Sequence, residues 1–393
     1  MKKYHQLFLL IVSVLSISLF LIYRREYNRL HYVLEVFNFF GQPCNLTDLK
    51  DDALIQNDWG PQPIWQETDD GYVYSAFLIK ATEVKAIALQ NKAGKTPRTC
   101  YLWYEGNMTT VVGKFKSSRL SWNHTANTLV PYFYYCAFTN LETVPYAVSF
   151  SSKAKQEEDM PKTLLTNNFF NKLNDDVIAC ISPSFFDKNM FMEFISFHKM
   201  IGINTFLFYD RSIPYRLSKL LKALSHRLEI NTTFLPWNYP KSDSSLTRML
   251  VENDCLLRTY GHTKYVVTLE LNEYIIPSET SSLIDTIKIS ENHFKLPLKS
   301  FCINSLTVNK PIALQNYEFI NDISYNKVIN IFKSASWNTN DDSSSSISER
   351  MSIHKYITCS DNYLTTVTDY SMNRFSTDFI RTTLVQLLLN GQI

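Results

Sequence analysis

The sequence predicts an α/β domain on a mostly parallel central sheet, preceded by a β-rich domain and a single transmembrane helix. Three observations carry that prediction: an uncharged apolar run at 7–23, short β-branched and aromatic runs over 72–150, and, beyond 176, apolar runs separated by helical patterns. Strand-length runs without polar alternation are buried on both faces, and helices between them are the crossovers that a parallel sheet requires. With 393 residues, 45% of them hydrophobic, the chain is long enough for two or three domains and too apolar for disorder.

Composition removes several classes of function. Lys and Arg number 39 against 37 Asp and Glu, without a long basic block, so no electrostatic footprint for nucleic acid is present. Nine glycines exclude collagen-like and glycine-linker architectures, and aromatics at 14% suit β-rich, sugar-handling or interface-rich proteins.

The elements follow in order. A short tail, 1–6, precedes the run LFLLIVSVLSISLFLIY at 7–23, bounded by Lys2-Lys3 and Arg24-Arg25. At about 1.5 Å of rise per residue it is at the short end of what crosses about 30 Å of hydrocarbon. No small-x-small cleavage site follows, which predicts an uncleaved signal-anchor rather than a removed signal peptide. Basic residues on both flanks leave the orientation open, and a lumenal bulk is the expectation carried forward. Residues 24–65 read as a stem, with a helical apolar rhythm over 26–40 that Pro43 interrupts.

Residues 66–150 read as the β-rich domain, with strand-like runs at 72–79, 84–89, 99–104, 109–115 and 132–138. The polar stretch SSKAKQEED opens a linker over 151–175. The α/β domain, 176–393, then alternates strands at 177–182, 205–209, 228–235 and 265–269 with helices at 190–201, 212–224 and 246–260. Seven cysteines lie far apart without a C-x-x-C pair, which argues against structural zinc and leaves any disulfide pairing open. Sequons at Asn45, Asn107, Asn123 and Asn231 permit a secretory address, with Asn231 inside an expected buried strand.

Ligands on open α/β sheets bind beyond the carboxyl ends of the strands, so the strand exits are where chemistry is sought. One strand exits at Asp210, suited either to a nucleotide ribose or base, or to turning the chain or capping the next helix. Another runs into Glu270-Leu271-Asn272-Glu273. On an extended backbone Glu270 and Asn272 would face one side and grip a divalent cation or a phosphate-bearing ligand. On the intervening helix Asn253 falls inside the apolar arc, as a structural amide or a ligand contact, and Asp254 and Arg258 have the spacing of an i,i+4 ion pair. His198 reads as a core histidine.

Taken together, Cys180-Ile181-Ser182-Pro183, EFISFHKMIG at 193–202, FLFYD at 206–210, Asn253-Asp254-Cys255-Leu256-Leu257-Arg258 and ELNEYIIP at 270–277 resemble, in order and spacing, the glycosyltransferase family 92 domain over 176–393. The resemblance implies a GT-A-like fold and a type II Golgi anchor with a lumenal catalytic domain. It also implies inverting transfer of galactose from UDP-galactose to a glycan, with manganese. It places Asp210, Asn253, Asp254 and Arg258 at the donor nucleotide and Glu270 and Asn272 at the metal, with Glu273 and His354 as further candidates. The family reads Asp-x-Asp-Glu where this chain has Glu270, Leu271, Asn272 and Glu273, so one formal charge is lost. A His-Tyr-Arg element of the family aligns with Asp369-Tyr370-Ser371. Asp322, Asp361 and Asp369 are candidate general bases, and no catalytic residue is assigned. The rivals are a silent relative that binds a glycan or protein partner, and a membrane-tethered adhesion module.

Overall fold

The computed structural model describes residues 16, 59–105, 110–120, 128–139, 143–152, 160–166, 175–184, 186–239, 244–277, 283, 294–303, 320–321, 328–333, 346–347, 350–358, 366–367 and 371–390. Apart from Ser16, the expected membrane helix lies outside them, as does most of the expected stem, and among the described residues no helix is long and apolar enough to cross a membrane. Apart from Ser16, all of them belong to one compact unit, Ile55–Ile393.

The β-rich domain is a barrel. Its strands are β1 (Gln66–Thr68), β2 (Gly71–Lys80), β3 (Glu83–Asn91), β4 (Thr99–Trp103), β5 (Val111–Arg119), β6 (Leu129–Ala137), β7 (Ala147–Ser151) and β8 (Thr163–Thr166). They run in the order β1-β2-β3-β6-β5-β4-β7-β8, and a parallel pairing of β8 with β2 closes the sheet on itself. Closure removes the unpaired edges that an open sheet would present. The closing strand lies inside 151–175, the stretch expected to be a linker. Ala76, Val84, Ala88, Leu102 and Phe150 fill the barrel beside a disulfide between Cys100 and Cys136. Gly113 pairs with Cys100 across β4 and β5, and a Cβ there would run into both sulfurs.

The second layer begins with β9 (Asp175–Ile181), α1 (Lys188–Met200), β10 (Thr205–Asp210), α2 (Tyr215–Leu228), β11 (Asn231–Pro236), α3 (Ser244–Thr259) and β12 (Thr263–Leu269). The order β11-β10-β9-β12 is parallel throughout, as the unalternating apolar runs predict. The expected 228–235 strand starts later, because α2 continues to Leu228 and Glu229 ends it in a left-handed conformation, φ 51°. Asn231, expected in a buried strand, is half-buried at the start of an edge strand. Further strands, β13 (Glu273–Pro277), β14 (Phe294–Ile303), β15 (Ile320–Asn321), β16 (Val328–Lys333), β17 (Ser346–Ile347), β18 (Met351–Thr358) and β19 (Thr366–Val367), make the rest of the sheet mixed. Two short helices, α4 (Ser376–Ile380) and α5 (Thr383–Leu389), follow.

Both faces of the parallel part are covered. Phe206 and Phe208 of β10 join Phe191 and Phe194 of α1 on one side. Leu207 and Tyr209, one residue out of phase, join Leu250 of α3 and Tyr74 and Phe77 of the barrel on the other. Each such side chain contributes about 1.5 to 3 kcal/mol by leaving water, so the barrel is part of the α/β core. A second disulfide, Cys180 to Cys255, ties β9 to α3 on this side.

Candidate functional site

Parallel strands in register bring their exits to one edge. Ile181 of β9 pairs with Phe208 of β10 and with Leu269 of β12, so Ser182, Asp210 and Glu270 all leave the sheet there. A cleft at this edge is lined by Ser182, Pro183, Asp210, Arg211, Ser212 and Leu271, among others.

At Asp210 the chain-turning alternative is realised, while α2 begins after Pro214 without a side-chain cap. Its Oδ1 accepts from the backbone amides of Ser212 at 2.8 Å and Ile213 at 2.7 Å. Burial pushes its carboxyl up, and those two amides only partly offset it. Among the described residues no hydrogen bond or ion pair joins it to Glu270: the exits converge while the two carboxylates engage different groups.

The exit of β12 departs from the sequence expectation. Residues 270–272 are a turn rather than an extended strand end, closed by the Glu273 amide donating to the Glu270 carbonyl at 3.0 Å. The alternation that would have paired Glu270 with Asn272 is therefore lost, and Glu270 is brought beside Glu273 instead. Asn272 turns its Nδ2 to the Tyr356 carbonyl at 2.9 Å, while its Oδ1 is buried with no hydrogen-bond partner among the described residues.

Two cations occupy the carboxylates of this turn. Arg248, from the first turns of α3, donates from Nη1 to both oxygens of Glu273, at 2.8 and 2.9 Å, and from Nη2 to the Thr268 carbonyl at 2.6 Å. Lys355 is the cross-strand partner of Glu273 in the β13–β18 pairing, and its Nζ lies 2.6 Å from Glu270 Oε2 and 3.1 Å from Glu273 Oε1. Burial drives the Glu273 carboxyl upward, but Arg248 and Lys355 outweigh it and hold the carboxyl below its ordinary range. Burial likewise works against the charge on Arg248 and Lys355, and the glutamates hold both above their ordinary values.

Manganese does not fit this arrangement. Lys355 stands against Glu270 where a cation would bind, Glu273 is taken by Arg248 and Lys355, and Asn272 brings no charge. Among the described residues no group of three or more His, Cys, Asp or Glu is placed to hold a metal.

The remaining candidates lie away from the edge. Asp254 and Arg258 are both fully buried, at 0% exposure, and form the i,i+4 pair. Asp254 also accepts from the hydroxyls of Ser75 and Tyr209, each at 2.5 Å. Arg258 donates to the Trp59 carbonyl at 2.8 Å and sits over the Phe77 ring. Closed off from solvent, the pair holds the barrel to α3 and offers a nucleotide nothing. Asn253 is half-buried and donates to the Met249 carbonyl at 2.8 Å, one turn back on its own helix.

His198 is a core histidine: Nδ1 bonds the Phe194 carbonyl at 2.9 Å, the Ile275 amide approaches Nε2 at 3.4 Å, and the ring stacks on Tyr274. His354 is buried within β18 against Phe301, so it belongs to a strand rather than a loop. Asp322, Asp361, Asp369 and Tyr370 lie outside the described residues. Glu252, one turn beyond Arg248, has its carboxyl pushed up to about 7 by burial, with Arg248 pulling partly back. Sequence reasoning missed Arg248 and Lys355. Lys355 lies next to His354 in sequence, yet nothing local marks it as a partner for residues more than 80 positions away.

The family model described as Glycosyltransferase family 92 matches residues 175–387, more than half of the chain. No curated protein matches it.

Proposed function

Because the chain belongs to glycosyltransferase family 92, it is a glycosyltransferase acting on a sugar donor and an acceptor, and we propose that it transfers a hexose, galactose from UDP-galactose, to a glycan with inversion. The observation that carries the reading is the shared edge of β9, β10 and β12, which lies wholly inside the matched region and gathers the cleft, Asp210 and the 270–273 turn. In a GT-A-like arrangement the nucleotide lies over the β9–β10 exits and the diphosphate points to the turn. Inversion then needs a carboxylate within hydrogen-bond reach of the acceptor hydroxyl, to take its proton as the sugar carbon is attacked from the face opposite the departing UDP. Incubating the full chain with UDP-galactose and a set of glycans, and reading UDP release together with product mass, tests the reading. Absence of both would refute it as stated.

A silent relative that binds without transferring is the second reading, favoured by the replacement of the family's two aspartates by Glu270 and Asn272. It predicts UDP binding without release of UDP from the sugar nucleotide. For location, the apolar run at 7–23 supports a single membrane span, and the family resemblance adds the proposal of a type II Golgi topology with the bulk in the lumen. That topology predicts glycans on Asn45, Asn107 and Asn123, three sequons outside the described residues, and an unchanged mass after glycosidase treatment would contradict it.

A further inference from the structure

We propose that Lys355 and Arg248, held in place by Glu273, form a built-in cation site for the diphosphate of the sugar nucleotide, so that donor binding is independent of a divalent metal. The inference rests on the glycosyltransferase reading above and specifies how that same edge would hold its donor.

Glu273 is at 0% exposure, whereas Arg248, Lys355 and Glu270 keep 21%, 23% and 19% of their side chains accessible. Two positive groups and one negative group therefore face the edge; with the buried Glu273 the cluster is neutral, and displacing Glu270 leaves an anion site. A metal would meet the opposite situation, since the one accessible carboxylate already lies 2.6 Å from an ammonium. Donor capacity remains. Lys355 Nζ uses two of its hydrogens on glutamates, and Arg248 uses three of its N–H groups on Glu273 and Thr268. Each keeps N–H capacity beyond these bonds among the described residues, and both side chains recognise phosphate oxygens.

Geometry makes the pair a preorganised one. Glu273 is a positioning residue: it bridges Arg248 from α3 and Lys355 from β18 and fixes both cations where the strand exits meet. Glu270 differs, because it is accessible and shares Lys355 with Glu273. An incoming diphosphate can displace it, taking over the ammonium while Glu273 keeps the lysine in place. The leaving UDP would then have its charge met by two side-chain cations positioned before it forms.

The test gives opposite signs for the two arrangements. Calorimetry with UDP on the full chain, in chelator and then in manganese, is repeated for Glu270→Gln and Lys355→Gln. The site proposed here binds UDP in chelator, and Lys355→Gln weakens binding by about tenfold or more, as expected for the loss of a charge-assisted contact. Glu270→Gln removes the competing anion and tightens binding by roughly three- to tenfold. Binding that appears only with manganese and is abolished by Glu270→Gln would overturn the inference while leaving the glycosyltransferase reading intact. No UDP binding by the folded wild-type chain under either condition would remove the donor site and the inference together. Lys355→Arg, which keeps the charge, restores affinity if the role is electrostatic, and a thermal melt of each variant separates lost affinity from lost fold.

Discussion

Two ion networks share helix α3, and they have opposite surroundings. Asp254 and Arg258 are sealed between the helix and the barrel, with hydroxyls of Ser75 and Tyr209 and the Trp59 carbonyl completing the shell. Arg248 reaches Glu270 and Glu273 at the sheet edge, Lys355 engages the same two glutamates, and three of the four side chains remain partly accessible. The same residue types thus serve different ends: full burial with every polar atom satisfied makes an assembly device, whereas charges held rigidly but left open can meet a ligand. A buried pair adds little net stability over an apolar one, yet losing one partner strands a charge.

The largest effect tests the sealed network. Asp254→Ala leaves Arg258 buried and unpaired and is expected to cost about 3 to 5 kcal/mol, read as a lower denaturation midpoint of the full chain. A cost under 1 kcal/mol would break the comparison, because the pair would then be no more consequential than a surface one.

Glu273→Gln comes next. It removes the buried carboxylate that Arg248 and Lys355 share, and a loss of about 2 to 3 kcal/mol is expected for charge-assisted hydrogen bonds. Denaturation that moves as far as for Asp254→Ala would show that the open network is also chiefly structural.

A third prediction is a pH slope. Burial pushes the His198 imidazole down to about 3 from the ordinary 6.5, with the Phe194 carbonyl pulling the other way. Between those values the unfolded chain binds more protons than the native one, so this stability is complete above pH 6.5 and is lost as pH falls. At about 1.4 kcal/mol per pH unit, roughly 2 kcal/mol disappears between pH 6.5 and 5. Melts of wild type and His198→Phe across that range should diverge in slope, and parallel curves would refute the assignment.

The smallest effect belongs to Glu252 and has the opposite sign. Its carboxyl is raised from 4.5 to about 7, so the native state holds the extra proton, and stability declines as pH rises through that window. Glu252→Gln should remove the decline and stabilise the chain at pH 8 by about 1 kcal/mol, a figure kept low because the group is only half-buried. Variant melts that match wild type at pH 8 would contradict it.

Much of this was legible along the chain. The strands ending at Ile181, Asp210 and Leu269 are marked by runs buried on both faces, and the helices between them by 3.6-residue periodicity, because both signals come from neighbours in sequence. The barrel strands between 71 and 137 are marked instead by short β-branched and aromatic runs with turn-like breaks between them. Its closing strand is not: Thr163–Thr166 is only four residues long, and nothing in a stretch that short announces that it will pair with β2. Asp254 and Arg258 were legible as an ion pair, but whether that pair faced a nucleotide or the barrel depended on Ser75 and Trp59, far away in sequence.

What the sequence by itself determined is the kind of each element, the parallel order that hydrophobic runs and crossover helices require, and the edge at which polar residues emerge. Only the tertiary structure decided what those residues meet. The 270–272 segment became a turn through a single backbone hydrogen bond, exchanging Asn272 for Glu273 as the partner of Glu270. Lys355 arrived because β18 pairs with β13, placing it opposite Glu273 from 82 residues away. Hydrophobic periodicity is written in neighbouring residues, whereas an ion's partner is set by whichever strand the sheet places beside it, and pairing across the sheet leaves no local trace.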